Sequence, residues 1–320
     1  MTGNILKYLR EKEYISGEVL AQKLGISRVA VWKQIQRLKD MGYEIIADQN
    51  LGYCLISRPD LLIPQEIQRG LSTNYIGKEI FYFPELKSTN IMAKEKALHR
   101  AGGIDEGTLI IAERQSAGKG RLGREWFSPV GGIWLSIILY PKLSPSYISR
   151  ITLMTAVAVV KAIKICTQIE SQIKWPNDIL INEKKVCGIL TEMSAELDII
   201  NWVVVGIGIN VNIDHRDFPE DIQENTISLK EILGKEVLRV KLVQVFLQEF
   251  EKYYEILKRR EFSSILKEWK LCSHTLGKKI KVDMGERIIT GKAMDINESG
   301  ALILKKEDSQ LVEIISGTII

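Results

Sequence analysis

Apolar residues recur at helical spacing through the first forty positions and then change to strand spacing. Ile5, Leu6 and Leu9 mark one helix in 4–13, and a second runs over 16–24 until Gly25 stops it. Ser27 is placed to cap a third helix, in which Val31, Ile35 and Leu38 fall at i, i+4 and i+7 and form one buried stripe ending at Gly42. Two short extended runs follow, 43–47 and 53–57, joined by DQNLG, whose Asp, Asn and Gly suit a turn.

Helix, helix-turn-helix and hairpin is the order of a winged helix-turn-helix, expected over residues 1–60, with Arg58, Pro59 and Asp60 as linker. Pro64 then opens a helix in PQEIQRGL. From 61 to 272 the periods mix: 108–115, 133–139, 185–193 and 201–211 read as strands, while 88–100, 146–168 and 240–270 read as helices. That predicts an α/β domain on a mixed sheet. From 273 to 320, short β-type runs broken by Gly285, Gly291, Gly300 and Gly317 predict a small barrel, so the fold class is multidomain α+β.

Composition changes this picture little. At 45% hydrophobic and 26% charged residues the chain is an ordinary globular one, and a net charge of +4 is too mild to identify a nucleic-acid partner. Local charge says more. Residues 27–39 hold Arg28, Lys33, Arg37 and Lys39 with no acid, whereas 1–60 as a whole carry nine basic against seven acidic residues. With the apolar stripe turned inward, the third helix presents Val29, Lys33, Gln36 and Arg37, and its first turn exposes Ser27 and Arg28. Arginine and lysine suit guanine edges and phosphates, and glutamine suits adenine, so this is the DNA-reading candidate; the alternative is a solvated helix in a protein-interaction module.

Four cysteines and three histidines stand far apart without metal-ligand spacing, which reads as reduced thiols and no zinc. The first twenty residues are too charged for a signal peptide, and no apolar run approaches the roughly 18 residues of a membrane span, so a cytoplasmic protein without membrane contact is expected.

The most informative chemistry lies in Gln115-Ser116-Ala117-Gly118-Lys119-Gly120-Arg121-Leu122-Gly123-Arg124-Glu125-Trp126. Glycines interleaved with cations let backbone approach an anion while Lys119, Arg121 and Arg124 neutralise it. The loop is neither a dinucleotide fingerprint nor a Walker loop, because GKGR lacks the GK[ST] that would hold Mg²⁺. A flexible surface loop is the alternative.

Ser88-Thr89-Asn90 precedes this loop; Lys174-Trp175-Pro176-Asn177-Asp178, then Lys185-Val186-Cys187-Gly188-Ile189-Leu190 with Glu192, and Gly206-Ile207-Gly208-Ile209-Asn210-Val211 follow it. This succession resembles the biotin protein ligases, and with the N-terminal helix-turn-helix it resembles their bifunctional ligase and biotin operon repressor type. The resemblance spans essentially the whole chain. It implies a central ligase domain, a C-terminal SH3-like barrel, and a two-step reaction. Biotin's carboxylate attacks the α-phosphate of ATP to give biotinyl-5′-adenylate, and a lysine of the biotin carboxyl carrier protein of acetyl-CoA carboxylase, or of a related carboxylase, then attacks the anhydride. The adenylate-bound form is expected to dimerise on operator DNA and repress transcription.

The resemblance also implies site roles. For biotin these are Ser88, Thr89, Asn90 and Gln115 toward the ureido ring, the loop residues Gly118, Lys119, Gly120 and Arg121, Trp134 as a pocket wall, Lys185 on the carboxylate, and Gly188 as pocket floor. For ATP they are Arg121, Arg124, Trp126 as the adenine-stacking aromatic, Lys174, Asn177, Asp178 and Asn210, with Asp178 as the Mg²⁺ ligand. Lys185, Arg121 and Lys174 are the catalytic cations. Lys119 stands where many relatives carry arginine, which places a bidentate contact there in question. Ser88 and Thr89 also suit a helix N-cap, and the two tryptophans also suit a core. Residues 211–228 read as a loop coincident with the segment that orders over the adenylate in relatives. Two further readings are a regulator that only senses biotin and a lipoate or octanoate ligase of the same superfamily; intact Arg121, Lys174 and Lys185 weigh against the first, and KWPND with the C-terminal barrel against the second.

Overall fold

The computed structural model describes residues 2–11, 13–98, 103–197 and 199–320. The chain divides into two compact units, 1–61 and 62–320.

In the first unit α1 (Thr2–Glu11), α2 (Gly17–Leu24) and α3 (Arg28–Asp40) precede a hairpin of β1 (Glu44–Asp48) and β2 (Gly52–Ser57). Ser16 and Ser27 cap α2 and α3 by accepting the N–H of Val19 and Ala30, each at 3.2 Å. Leu6, Leu9, Leu20, Val31, Ile35, Leu38 and Ile45 form the core, so the stripe read from the sequence is the buried one. The Asp48 carboxylate closes the turn by accepting from the N–H groups of Asn50 and Leu51, which hold it below the usual carboxylate range. Gly52, at φ 100°, passes so close to the Ile15 carbonyl that a Cβ would meet it at 2.3 Å. Ile15 there pairs with Tyr53 as a third strand in miniature.

The second unit opens with α4 (Pro64–Gln68), β3 (Ile80–Leu86), α5 (Thr89–Leu98), β4 (Leu109–Gln115) and β5 (Ile133–Leu139). α6 (Ile148–Thr167), β6 (Gln172–Lys174), β7 (Asp178–Ile181), β8 (Lys184–Glu196) and β9 (Ile199–Ile209) follow, then α7 (Glu220–Gln223), α8 (Leu229–Leu233), α9 (Arg239–Lys258) and α10 (Phe262–Leu271). The seven strands run in the order β3-β4-β5-β9-β8-β7-β6; only β3–β4 is parallel.

Alternation along these strands sorts the two faces. Ile133, Leu135, Ile137 and Leu139 of β5, with Val203, Val205, Ile207 and Ile209 of β9, join the large core that also contains residues of α6, α9 and α10. Their neighbours Ile138, Trp202 and Val204 pack with Ala93 and Ala97 of α5 on the other face. α5 covers only part of that face. The remainder carries the cleft described below.

Where 240–270 reads as one helix, the structure has two, separated at Arg260 with φ 64°. β3, β6 and β7 were not expected, and the helix expected over 88–100 is described to Leu98, its last two positions lying outside the described residues. Residues 211–228 are not featureless: they contain α7, bury Phe218, and pair with β8 through a Lys185–Thr226 bridge.

The last five strands, β10 (Lys279–Asp283), β11 (Ile288–Ile296), β12 (Leu302–Lys305), β13 (Leu311–Ile314) and β14 (Thr318–Ile319), form an antiparallel sheet in the order β13-β12-β11-β10-β14. Val282, Ile296, Leu302, Leu304 and Ile314 share the large core with the seven-stranded sheet. Arg150 of α6 donates to the Glu298 carbonyl at 2.7 Å, and Trp175 Nε1 to Gly300 at 3.4 Å. Among the described residues no helix is long and apolar enough to cross a membrane.

Candidate active site

Strand register builds the floor. Across the face away from α6, α9 and α10, Lys174, Asp178, Gly188, Gly208 and Trp134 are successive partners in one row, and Leu190, Gly206 and Ser136 are partners in the next. Glycine is needed at three of these positions. A Cβ on Gly206 would stand 2.1 Å from Asn90 Oδ1, and Cβ atoms on Gly188 and Gly208 would meet the Trp126 indole at 2.8 and 2.4 Å. The glycines of GIGIN and KVCGIL therefore seat an amide and an indole.

Above this floor opens a cleft lined by residues of five of the sequence motifs. One end is a closed hydrogen-bond network. Gln115 Oε1 accepts from Thr89 N at 2.7 Å and Thr89 Oγ1 at 3.1 Å, while its Nε2 donates to Ser128 Oγ at 2.9 Å. Ser136 Oγ donates to Asn90 Oδ1 at 2.6 Å and lies 2.8 Å from Thr89 Oγ1. Asn90 Nδ2 reaches Glu192 at 2.8 Å, and Glu192 is itself held by Lys94 at 2.7 Å. Ser88, Thr89 and Asn90 are all buried at the start of α5, where the Ser88 carbonyl accepts from Met92 N. Buried amides and hydroxyls that satisfy one another hold fixed orientations, which suits recognition of a neutral ligand rich in N–H and C=O groups.

The other end is cationic. Lys185 Nζ lies 2.7 Å from Asp178 and 4.9 Å from the centre of the Trp126 ring. Arg121 donates to Asn177 Oδ1 at 3.1 Å, the Gly317 carbonyl at 3.2 Å and Ser316 Oγ at 3.3 Å. Burial pushes the Arg121 guanidinium below its ordinary value, and Asp178 opposes that shift. Asn177 is fixed in turn by a 2.9 Å bond from its Nδ2 to the Ile189 carbonyl. Lys119, Gly120 and Arg124 also line the cleft.

Four expected residues stand elsewhere. Trp134 is 1% exposed and donates to the Pro129 carbonyl, packing edge-on against Trp126 with ring centres 6.5 Å apart. Asn210 is 2% exposed and serves the backbone of β8, its N–H donating to Val186 and its carbonyl accepting from Leu229. Gly118 lines an adjoining groove with Pro219 and Ile222. Lys174 sits at the end of the floor row, outside the residues lining the cleft. Conversely, Ser128, Ser136, Ser316 and Thr318 were not singled out from sequence. Only Ser136 carried a signal there, as the lone hydroxyl in the apolar run IWLSIIL.

The six residues expected to face DNA all lie on α3 or its cap. Five of them are exposed and Gln36 is half-buried.

Comparison with known proteins decides what this arrangement belongs to. Residues 82–210 match the Biotin/lipoate A/B protein ligase family, 3–54 an HTH domain, and 275–320 the Biotin protein ligase C terminal domain. The chain is 40% identical over 297 residues to the bifunctional ligase/repressor BirA of Bacillus subtilis, covering 92% of this chain and 90% of that protein.

The chain belongs to the biotin protein ligase family. The bifunctional ligase/repressor BirA of Escherichia coli is 29% identical over 95% of this chain and 92% of its own length. A solved biotin protein ligase from Aquifex aeolicus, in complex with biotin and ATP, superposes with a TM-score of 0.66 at 32% identity, covering 76% of this chain and 98% of that one. This ligase therefore has the helix-turn-helix, mixed-sheet ligase domain and small C-terminal β domain of its bifunctional relatives.

Proposed function

We propose that this ligase condenses biotin with ATP to biotinyl-5′-adenylate, transfers the biotinyl group to a lysine of a biotin carboxyl carrier protein, and in its adenylate-bound form dimerises on operator DNA. The supporting observation is the polarity of one cleft: mutually satisfied amides and hydroxyls at one end, Lys185, Arg121 and Arg124 at the other.

A bicyclic urea fits the first end, where Ser88, Thr89, Asn90 and Gln115 offer donors and acceptors. Its carboxylate then lies toward the cations. Adenylation brings two anions together, and Lys185 opposes the charge that accumulates as carboxylate oxygen adds to the α-phosphorus and pyrophosphate leaves. Arg121, Arg124 and Lys119 neutralise the triphosphate, with Lys174 beside Asp178 at the end of the floor row. Gly118 and Gly120 let the loop backbone lie against biotin; Gly188 keeps the floor flat; Trp134 holds Trp126, which stacks adenine. Asn210 acts through the β8 backbone it braces.

Asp178 and Asn177 fit a Mg²⁺ that arrives with the triphosphate, since that ion keeps water and takes only one or two protein oxygens. Among the described residues no group of three or more His, Cys, Asp or Glu side chains could hold a metal unaided. Three functional segments, 1–60, 61–272 and 273–320, divide the DNA-reading, catalytic and closing tasks.

Incubating the chain with biotin, ATP, Mg²⁺ and a biotinyl carrier domain, and weighing the carrier, tests the reading. A carrier heavier by one biotinyl group, with lipoate and octanoate unreactive, is the expected result. An unmodified carrier overturns it.

A further inference from the structure

The recognition helix carries a surface that its charges do not explain. Val29 and Trp32 are 63% and 53% exposed on α3, although apolar side chains of this size are ordinarily withdrawn from water. The buried stripe of the same helix, Val31, Ile35 and Leu38, is at most 1% exposed, so neither residue is needed for its core.

Val29, Trp32, Lys33 and Gln36 stand at i, i+3, i+4 and i+7, which places them side by side on the outer face. Arg28, Lys33 and Arg37, all exposed, surround the apolar pair. A patch that is apolar at its centre and positive at its rim complements a groove walled by phosphates. It is unsuited to the apolar face of another protein, which would have to desolvate those cations.

Within the major groove the base edges offer donors, acceptors and a single kind of apolar group, the C5-methyl of thymine. An isopropyl group and an indole, with one N–H donor between them, can gain little from guanine or adenine edges. They gain from methyl groups. We infer that Trp32, with Val29 beside it, reads thymine methyl groups in duplex DNA and is a specificity-determining residue of this protein. The inference rests on the DNA-binding reading above and adds which base is read, and by which side chain.

The full chain, supplied with biotin, ATP and Mg²⁺, is used to enrich a binding duplex from a random pool. Wild type, Trp32→Ala and Trp32→Phe are then titrated at fixed salt against the enriched duplex, the same duplex with every thymine replaced by uracil, and a scrambled duplex. Uracil removes only the methyl. Wild type is expected to prefer the thymine duplex to its uracil form by about tenfold. Trp32→Ala is expected to lose about tenfold on the thymine duplex, and to keep only the small part of the thymine preference that Val29 supplies. Trp32→Phe should fall between, and all three proteins should bind scrambled DNA equally with one salt slope, because phosphate contacts are untouched. Coincident melting curves exclude a folding defect.

A Trp32→Ala protein that keeps the wild-type thymine preference overturns the inference, as does a loss equal on enriched and scrambled duplexes. A wild-type chain that enriches no sequence overturns the DNA-binding reading together with it. Capture of DNA with a Trp32-independent preference overturns this inference alone.

Discussion

The two ends of the cleft are built on opposite principles. At the amide end the side chains that the strands bring together already bond one another: Gln115 with Thr89 and Ser128, Ser136 with Asn90, Asn90 with Glu192. At the cationic end the partners are substitutes. Lys185 rests on Asp178, and Arg121 on a carbonyl, a hydroxyl and an amide oxygen. A phosphate or carboxylate oxygen could replace each of these, with stronger charge. On the proposed reading the first end is a preformed mould, and the second is a set of cations whose protein partners an anion would displace. The difference follows from the ligands each end is proposed to take, because a neutral urea repays only good geometry, whereas anions repay the cost of exchanging one partner for another.

Substitutions can break that contrast, and the largest effect is expected at Lys185. Lys185→Ala should slow adenylate formation by about 10²–10³ while leaving biotin binding largely in place, since the task proposed for this lysine comes with developing charge. Single-turnover assays of adenylate and calorimetry with biotin separate the two. Next is Gly206→Ala, whose new Cβ would stand 2.1 Å from Asn90 Oδ1 and must displace the amide or bend the strand. A stability loss of about 1–3 kcal/mol in denaturant unfolding is expected, together with weakened biotin binding.

Ser136→Ala removes the donor to Asn90 Oδ1 and should cost about 1–3 kcal/mol, roughly tenfold or more in KM for biotin, with kcat less affected. Smallest is Ser316→Ala at the cationic end. Losing one of three neutral partners of Arg121 should raise KM for ATP only a few-fold, about 0.5–1.5 kcal/mol, and leave biotin binding unchanged. If Ser316→Ala weakened biotin as much as Ser136→Ala does, the two ends could not be independent in the way their hydrogen bonds indicate.

What was legible in the sequence divides along a similar line. The first unit could be read almost entirely because each signal is local: Ser27 as a cap, a stripe at i, i+4 and i+7, and Asp48 in the turn. β6 and β7 escaped because three and four residues are too few to show a period. β3 escaped because Pro84 interrupts its alternation, which an edge strand tolerates. The break at Arg260 left no mark in the apolar pattern of 240–270.

Residues carrying charge in the cleft were visible as motifs. The supporting groups were not, since Ser128 and Ser136 matter through register across strands, and Ser316 meets Arg121 from 195 positions away. The glycines of GIGIN had no task legible in the sequence, and only the strand register shows what they make room for.

The central claim is that the amide end is ready before any nucleotide arrives. Calorimetric titration of the wild-type chain with biotin alone and with ATP alone, each without the other, tests it most directly. Saturable biotin binding in the absence of ATP, weakened in Ser136→Ala and retained in Ser316→Ala, is the predicted result. Biotin that binds only after ATP has been added would contradict the account, because the mould would then depend on the very anions it is held to precede.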